Sequence, residues 1–259
     1  MRYLLEHRWL LTGLLAITAL ALLIVWQVLY IMLHYTASVP APDVPRTAER
    51  FGTSGPKLKF VVLGDSTSIG QGAQYEQGIA RGSARYLARS HQVELTNLGV
   101  SGARVADVRS EQLAKAVKFQ PDLVLIAIGA NDVTHYTRLG SVRTNVAAII
   151  TQLQTANSQV QIILTGSPAM GSVARFAPPT QWLAGKRTLQ INAVFADVAQ
   201  QKHVTLLPLA AKTGYAFKHD LSLYAPDNFH PNAAGYALWR AVVNDGLDEV
   251  MSPVPMESH

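Results

Sequence analysis

The sequence predicts an α/β domain of three layers, a parallel sheet between two layers of helices, preceded by one N-terminal transmembrane helix. Three observations predict it. Short apolar runs alternate with helix-length segments across residues 58–250. Polar or glycine-rich clusters recur where several of those runs stop. An uncharged stretch from Trp9 to Leu33 stands ahead of them.

That first stretch is about 25 residues, or about 37 Å as a helix, slightly more than a bilayer core requires. Trp9, Trp26, Tyr30 and Tyr35 lie near its two ends, where amphipathic rings favour the membrane interface. It is longer than the apolar core of a cleaved signal peptide, and Thr36-Ala37-Ser38 is only a loose match to a cleavage site. Arg2 and Arg8 precede it, so the expected organisation is a cytoplasmic N-terminus (1–8) and a single-pass signal anchor (9–33). The rest is then extracytoplasmic, on the periplasmic or cell-surface side. Residues 34–57 carry Pro40, Pro42, Pro45 and Pro56 and read as an extended tether, because proline lacks an N–H and keeps its predecessor out of the helix. Residues 58–250 form the domain, and 251–259 read as a flexible tail.

Lys59–Leu63, Leu123–Ile128 and Val160–Leu164 are continuously apolar, as strands buried on both faces must be. Val93–Leu98 alternates, and Val204–Leu207 is short and stops at Pro208, so both read as edge strands. Helix patterns cover Gln77–Ser90, Arg104–Lys118, Ser141–Ala156 and Lys186–Lys202. A last helix follows Pro231, with Tyr236, Leu238, Trp239, Val242, Val243 and Leu247 on its buried side. Five strands in the order 2-1-3-4-5 give a flavodoxin-like sandwich, which binds ligands at the carboxyl ends of its strands. Gly166–Gly185 and Ala211–Ala225 read as loops, the first overhanging that end.

Composition excludes several chemistries. There is no cysteine, hence no disulfide, thiolate metal site or cysteine nucleophile. The net charge of +5 is spread without a basic run, which argues against nucleic acid as a partner. No His/Asp/Glu cluster has metal-ligand spacing, so no metal or other cofactor is expected. Gly70-Gln71-Gly72 does not complete a nucleotide-binding glycine loop.

The strand ends carry the remaining signal. Gly64-Asp65-Ser66 follows the first strand and Asn97-Leu98-Gly99 the second. Gly129-Ala130-Asn131-Asp132 follows the third, and Asp227-Asn228-Phe229-His230 precedes the last helix. Together they offer a hydroxyl, an imidazole, a carboxylate, a carboxamide and glycine amides, the parts needed to attack a carbonyl and hold an oxyanion. In these four blocks, spread in order over Lys57 to Val250, the chain resembles the SGNH/GDSL-type esterase and lipase family of hydrolases. Thr67 stands where that family often has leucine.

The resemblance implies a serine hydrolase of carboxylic esters acting through a Ser-His-Asp triad. Ser66 is then the nucleophile, His230 the general base, and Asp227 the group that orients the imidazole. Ser66 N–H, Gly99 N–H and the Asn131 side chain are the implied oxyanion donors. The implied partner is a small-molecule, lipid or glycan ester: short acyl, lipid-like or O-acetyl. An envelope acyltransferase using the same site, or a non-catalytic envelope binding domain, is the alternative function. Oligomeric state is not legible.

Simpler readings stand beside these. Asp65 and Ser66 are also helix-capping residue types, and Gly99 could serve only a turn. Ser68 is a rival nucleophile, His219–Asp220 a rival acid–base pair, His135 a solvated loop residue and Ser101 a turn hydroxyl.

Overall fold

The computed structural model describes residues 8–34 and 38–251. The expected tail beyond Met251, and the N-terminus before Arg8, lie outside the described residues.

A helix, α1 (Arg8–His34), comes first. It is long and apolar enough to cross a membrane. The domain is a six-stranded sheet between helices. Strand β1 is Glu49–Phe51, β2 Lys57–Gly64, β3 Gln92–Asn97, β4 Leu123–Ala127, β5 Gln161–Leu164 and β6 Thr205–Leu206. Their order is β1-β3-β2-β4-β5-β6. The five expected strands pair in parallel in the expected order. The sixth, β1, is an addition that corrects two expectations. Glu49–Phe51 runs antiparallel to β3, so the tether is partly sheet and β3 is not an edge. Only three residues pair, and a charged residue follows a charged residue in Glu49-Arg50, so no apolar pattern announced the strand.

Along β4 the side chains alternate between two cores despite continuous apolarity. Val124 and Ile126 join one core; Leu123 and Leu125 join the other. The helices of the first layer are α4 (Val105–Asp107), α5 (Leu113–Phe119), α7 (Leu139–Ala156) and α8 (Pro178–Lys202). They cover Val124 and Ile126 with side chains such as Leu113, Ile149 and Phe195. The other layer is α3 (Ile79–Leu87), α9 (Leu209–His219) and α10 (Ala233–Met251), packing Ile79, Phe217 and Tyr236 on Leu123 and Leu125. Two short helices sit at strand ends: α2 (Ser66–Ile69) after β2 and α6 (Ala130–Thr134) after β4.

Three expectations need correction. Residues 166–185 are not all loop, because α8 begins at Pro178. Pro178 and Pro179 fall in its first turn, where the N–H groups have no intrahelical partner to lose. Residues 211–225 are mostly α9 and a 3-10 turn at Leu221–Leu223. The buried stripe of α9 is Leu209, Thr213, Gly214 and Phe217, half of it weakly apolar, so the helical period was hidden. Leu238 is not on the buried side of α10; it is 38% exposed.

Arg81 of α3 ties β1 to the domain. Its Nε lies 2.8 Å from Glu49 Oε2, it also pairs with Glu76, and its guanidinium lies over the Phe51 and Tyr75 rings at 5.6 and 5.5 Å. A partly buried pair and a cation–π contact are each worth about 0.5–1 kcal/mol. Arg81→Ala is expected to destabilise the full chain by about 1–2 kcal/mol, read as a fall in Tm of about 2–6 °C in detergent; an unchanged Tm would show that β1 is not held this way.

Candidate active site

β2 is the central turning point of the sheet, with β3 on one side and β4 on the other. Chains leaving its neighbours diverge, and a crevice opens at their carboxyl ends. Its last residue, Gly64, is fixed by Gln112, which accepts from Gly64 N–H at 2.9 Å and donates to Gly64 O at 2.8 Å. Gln112 lies in a π-helical turn, Val108–Gln112, that the helix pattern did not reveal. Asp65 then caps α2, accepting the Thr67 N–H at 2.8 Å, so the capping reading of Asp65 holds.

Ser66 is the first residue of α2. Its Oγ lies 3.1 Å from Nε2 of His230, 164 positions later. On the other side of that ring, Nδ1 lies 2.6 Å from Asp227 Oδ2. The second carboxylate oxygen of Asp227 accepts the N–H groups of Phe229 and His230, each at 3.0 Å. Burial alone would raise the Asp227 carboxyl. The hydrogen bonds from the His230 ring and from the His230 and Phe229 N–H groups outweigh it, and the carboxyl sits below its ordinary value. A turn of four residues, Asp227–His230, thus holds the imidazole at Nδ1 and the His230 backbone at its N–H. The back of this turn is closed by Gly72 (φ +103), where a Cβ would lie 2.3 Å from Pro231 O and 2.8 Å from His230 Cβ.

The donors expected around the serine are placed less simply. No hydrogen bond from Ser66 N–H is made among the described residues. Asn131 Nδ2 donates to Ala103 O at 3.1 Å and has Asp65 Oδ2 at 3.5 Å. Gly99 N–H donates to Asn97 Oδ1 at 3.0 Å. Gly99 is required for closeness: a Cβ there would lie 1.8 Å from Ser68 Oγ. Asn97 also donates to Ser68 O at 2.9 Å, locking β3's end against α2.

The rivals fall away on geometry. Ser68 is fully buried and its hydroxyl donates to Asp65 O at 2.7 Å. Asp220 spends Oδ1 on the N–H and hydroxyl of Ser222, and His219 stacks on Tyr215. His135 is exposed, its Nδ1 2.9 Å from Asn131 O. Ser101 donates to Gln71 Oε1 at 2.6 Å, and Gln71 in turn donates to Val39 O at 2.7 Å, fastening the tether beside the site. Among the described residues no group of His, Asp and Glu is arranged to hold a metal ion.

Asp65, next to the serine, is strongly perturbed. It has no exposed surface, and burial raises its carboxyl from the ordinary 3.8 to about 6, against the pull of Thr67 and the His230 ring. Asp132 is also raised by burial, with Oδ2 accepting the Val105 N–H at 3.0 Å; it ties α6 to α4. Gln71 and Gln112 are site residues that sequence reasoning missed, and Asn97, named in the second strand-end block, carried no assigned role there. Gln112 offered one signal, an amide buried in an otherwise apolar helix stripe.

Comparison with known proteins agrees with this architecture. The model of the GDSL-like lipase/acylhydrolase family matches residues 62–238, more than half of the chain. A GDSL-like esterase of Mycobacterium tuberculosis is 27% identical over 189 residues, covering 70% of this chain and 59% of that protein. The chain thus spans less than two thirds of the length of this relative. The crystal structure of TesA superposes with a TM-score of 0.62 at 20% identity, covering 74% of this chain and 99% of TesA. Phospholipase A1 from Streptomyces albidoflavus NA297 gives 0.56 at 18% identity, covering 73% and 98%. A catalytic mutant of Axe2, an acetylxylan esterase from Geobacillus stearothermophilus, gives 0.56 at 19% identity, covering 77% and 97%. At these identities the structural likeness is one of fold. With more than half of its length matched, the chain belongs to the GDSL-like lipase/acylhydrolase family.

Proposed function

We propose that this chain is a membrane-anchored carboxylic ester hydrolase, working from the extracytoplasmic face through Ser66, His230 and Asp227. The observation that carries the reading is the hydrogen-bonded series from Ser66 Oγ through the His230 ring to Asp227. With Nδ1–H donated to Asp227, Nε2 is the acceptor for the serine proton. Ser66 Oγ attacks the acyl carbon as Nε2 takes that proton, and the carbonyl oxygen becomes an oxyanion. The imidazolium then protonates the leaving alcohol, and an acyl-Ser66 ester remains. Water, deprotonated by the same Nε2, attacks the acyl carbon; the bond to Ser66 Oγ breaks as the imidazolium returns its proton to that oxygen, and the acid is released.

Ser66 N–H and the Asn131 side chain are the donors on which the oxyanion relies. Gly99 joins them once its N–H is shared between Asn97 Oδ1 and the oxyanion. Asp65, 3.5 Å from Asn131 Nδ2, orients that amide. The substrates in view are short acyl, lipid-like or O-acetyl esters. That range includes the classes named for two of the structural relatives, a phospholipase and an acetylxylan esterase. The anchor and its side rest on α1 and on Arg8 before its uncharged run.

Ser66→Ala is expected to lower hydrolysis of a chromogenic short-chain ester on the order of 10⁴-fold or more, with thermal unfolding nearly unchanged. Turnover near the parent rate would remove Ser66 from the role. Asn131→Ala is expected to lower kcat about 10²–10³-fold with little change in KM. An effect confined to KM would make it a binding residue instead.

The raised Asp65 carboxyl makes a signed prediction. A group raised in the folded chain favours folding below its unfolded value, near 3.8, and loses that contribution as pH climbs through about 6. The stability of the parent relative to Asp65→Asn is therefore expected to fall between pH 4 and 7, by about 3 kcal/mol at most. Parallel pH–Tm curves for the two proteins would refute the assignment.

A further inference from the structure

Helix α1 does not stand clear of the domain. Thr180 Oγ1 donates to Gln27 Oε1 at 2.8 Å, and the Tyr30 hydroxyl lies 3.4 Å from Ala174 O. Gln27 is the one amide in an apolar run, and this contact gives it a partner. Beside the contact, between α1 and the first turns of α8, lies a cavity of about 450 Å³. Ile31 forms its α1 wall, Leu183 and Ala184 its α8 wall, and Phe176, Val133 and Phe229 line the rest. Two arginines also border it, and Arg187 is engaged with Thr137 O and the Tyr136 ring. The volume is in the range of small-molecule sites.

Two features connect this cavity to the reacting serine. The Phe229 ring packs edge-on against the His230 ring at 4.9 Å, so one side chain separates the cavity from the imidazole. Val133 lies two residues beyond Asn131 on α6. Two further features set its depth. A bilayer core takes about 20 helical residues. Counted from Trp9 it ends near Val28, which puts Ile31 at the outer interface. There the domain exposes Trp182 at 59% and Leu183 at 49%, with the Lys186 ammonium over the Trp182 ring at 4.0 Å. An exposed indole, a leucine and a lysine are the composition of a surface that rests in lipid headgroups.

We propose that the cavity takes an acyl chain of a bilayer-lipid ester, drawn from the leaflet alongside α1. In this assignment α1 is a wall of the substrate site as well as an anchor. The apolar lining matches an acyl chain, and the interface depth lets the chain enter without crossing water. The inference rests on the ester-hydrolase reading above.

The test uses the full chain reconstituted in phosphatidylcholine vesicles. Its readout is the ratio of kcat/KM for a fluorogenic long-chain ester embedded in the vesicles to kcat/KM for a water-soluble acetyl ester. Ile31→Trp fills the cavity from α1 and Leu183→Trp fills it from α8; Leu183 is half exposed, so the second change does not burden the core. Each is expected to lower the ratio at least tenfold. A ratio within twofold of the parent in both variants overturns the proposal, and so does an equal loss on both esters. Parent protein that cleaves the acetyl ester but not the embedded one overturns the proposal while leaving the hydrolase reading intact. Parent protein that cleaves neither, with no difference from Ser66→Ala, sinks the hydrolase reading and this inference with it.

Discussion

Strand β2 is hydrogen-bonded on both sides, to β3 up to Val62↔Asn97 and to β4 up to Gly64↔Ala127, and the positions of three of the four blocks that build the candidate site follow from that pairing. The two registers bring three strand ends to one level. Asp65–Ser66, Asn97–Gly99 and Gly129–Asn131 leave the sheet there and converge. Parallel strands make this possible, since all their carboxyl ends face one way. The fourth block, Asp227–His230, comes from the far end of the chain and is laid against the same rim by α10, whose Tyr236 hydroxyl donates to Gln71 O at 2.9 Å.

Convergence requires polar groups in a dry place, and each buried polar group needs a partner. The structure answers with side chains. Gln112 satisfies both backbone groups of Gly64. Asn97 holds Gly99 with its oxygen and Ser68 with its nitrogen. Asp132 holds α4 by Val105 N–H. Asp65, buried and accepting the Thr67 N–H at 2.8 Å, keeps a carboxyl pushed up to about 6 beside Asn131. These contacts leave the Ser66 hydroxyl free to face His230.

The N-terminal segments are joined to the domain beside this rim. Val39 accepts from Gln71, which is itself bonded to Ser101 at the end of the β3 loop. Gln27 accepts from Thr180 at the start of α8. Helix α1 is thereby fastened close to the crevice.

Much of the fold was legible from sequence because burial on both faces leaves its mark on composition. Leu123–Ala127 and Phe60–Leu63 are apolar where the sheet is central, and the strand order followed from which runs were weaker. Ser66, Asn131 and Asp227–His230 were legible because each block sits where a strand or helix boundary needs small or polar residues anyway, and four such blocks in order resemble one family. Local sequence determined the turn that binds His230 to Asp227, since the two lie only three positions apart. Tertiary structure alone decided the rest. Strand β1 exists because β3 had an open edge to pair, not because Glu49–Phe51 prefers extension. Gly99's amide is taken by Asn97, and Gln112 reaches Gly64, through contacts between segments that carry no mutual signal in the chain. The distance from Ser66 to His230 belongs to the same class: it is set by packing between elements 164 positions apart, and only the folded sheet and its helices fix that separation.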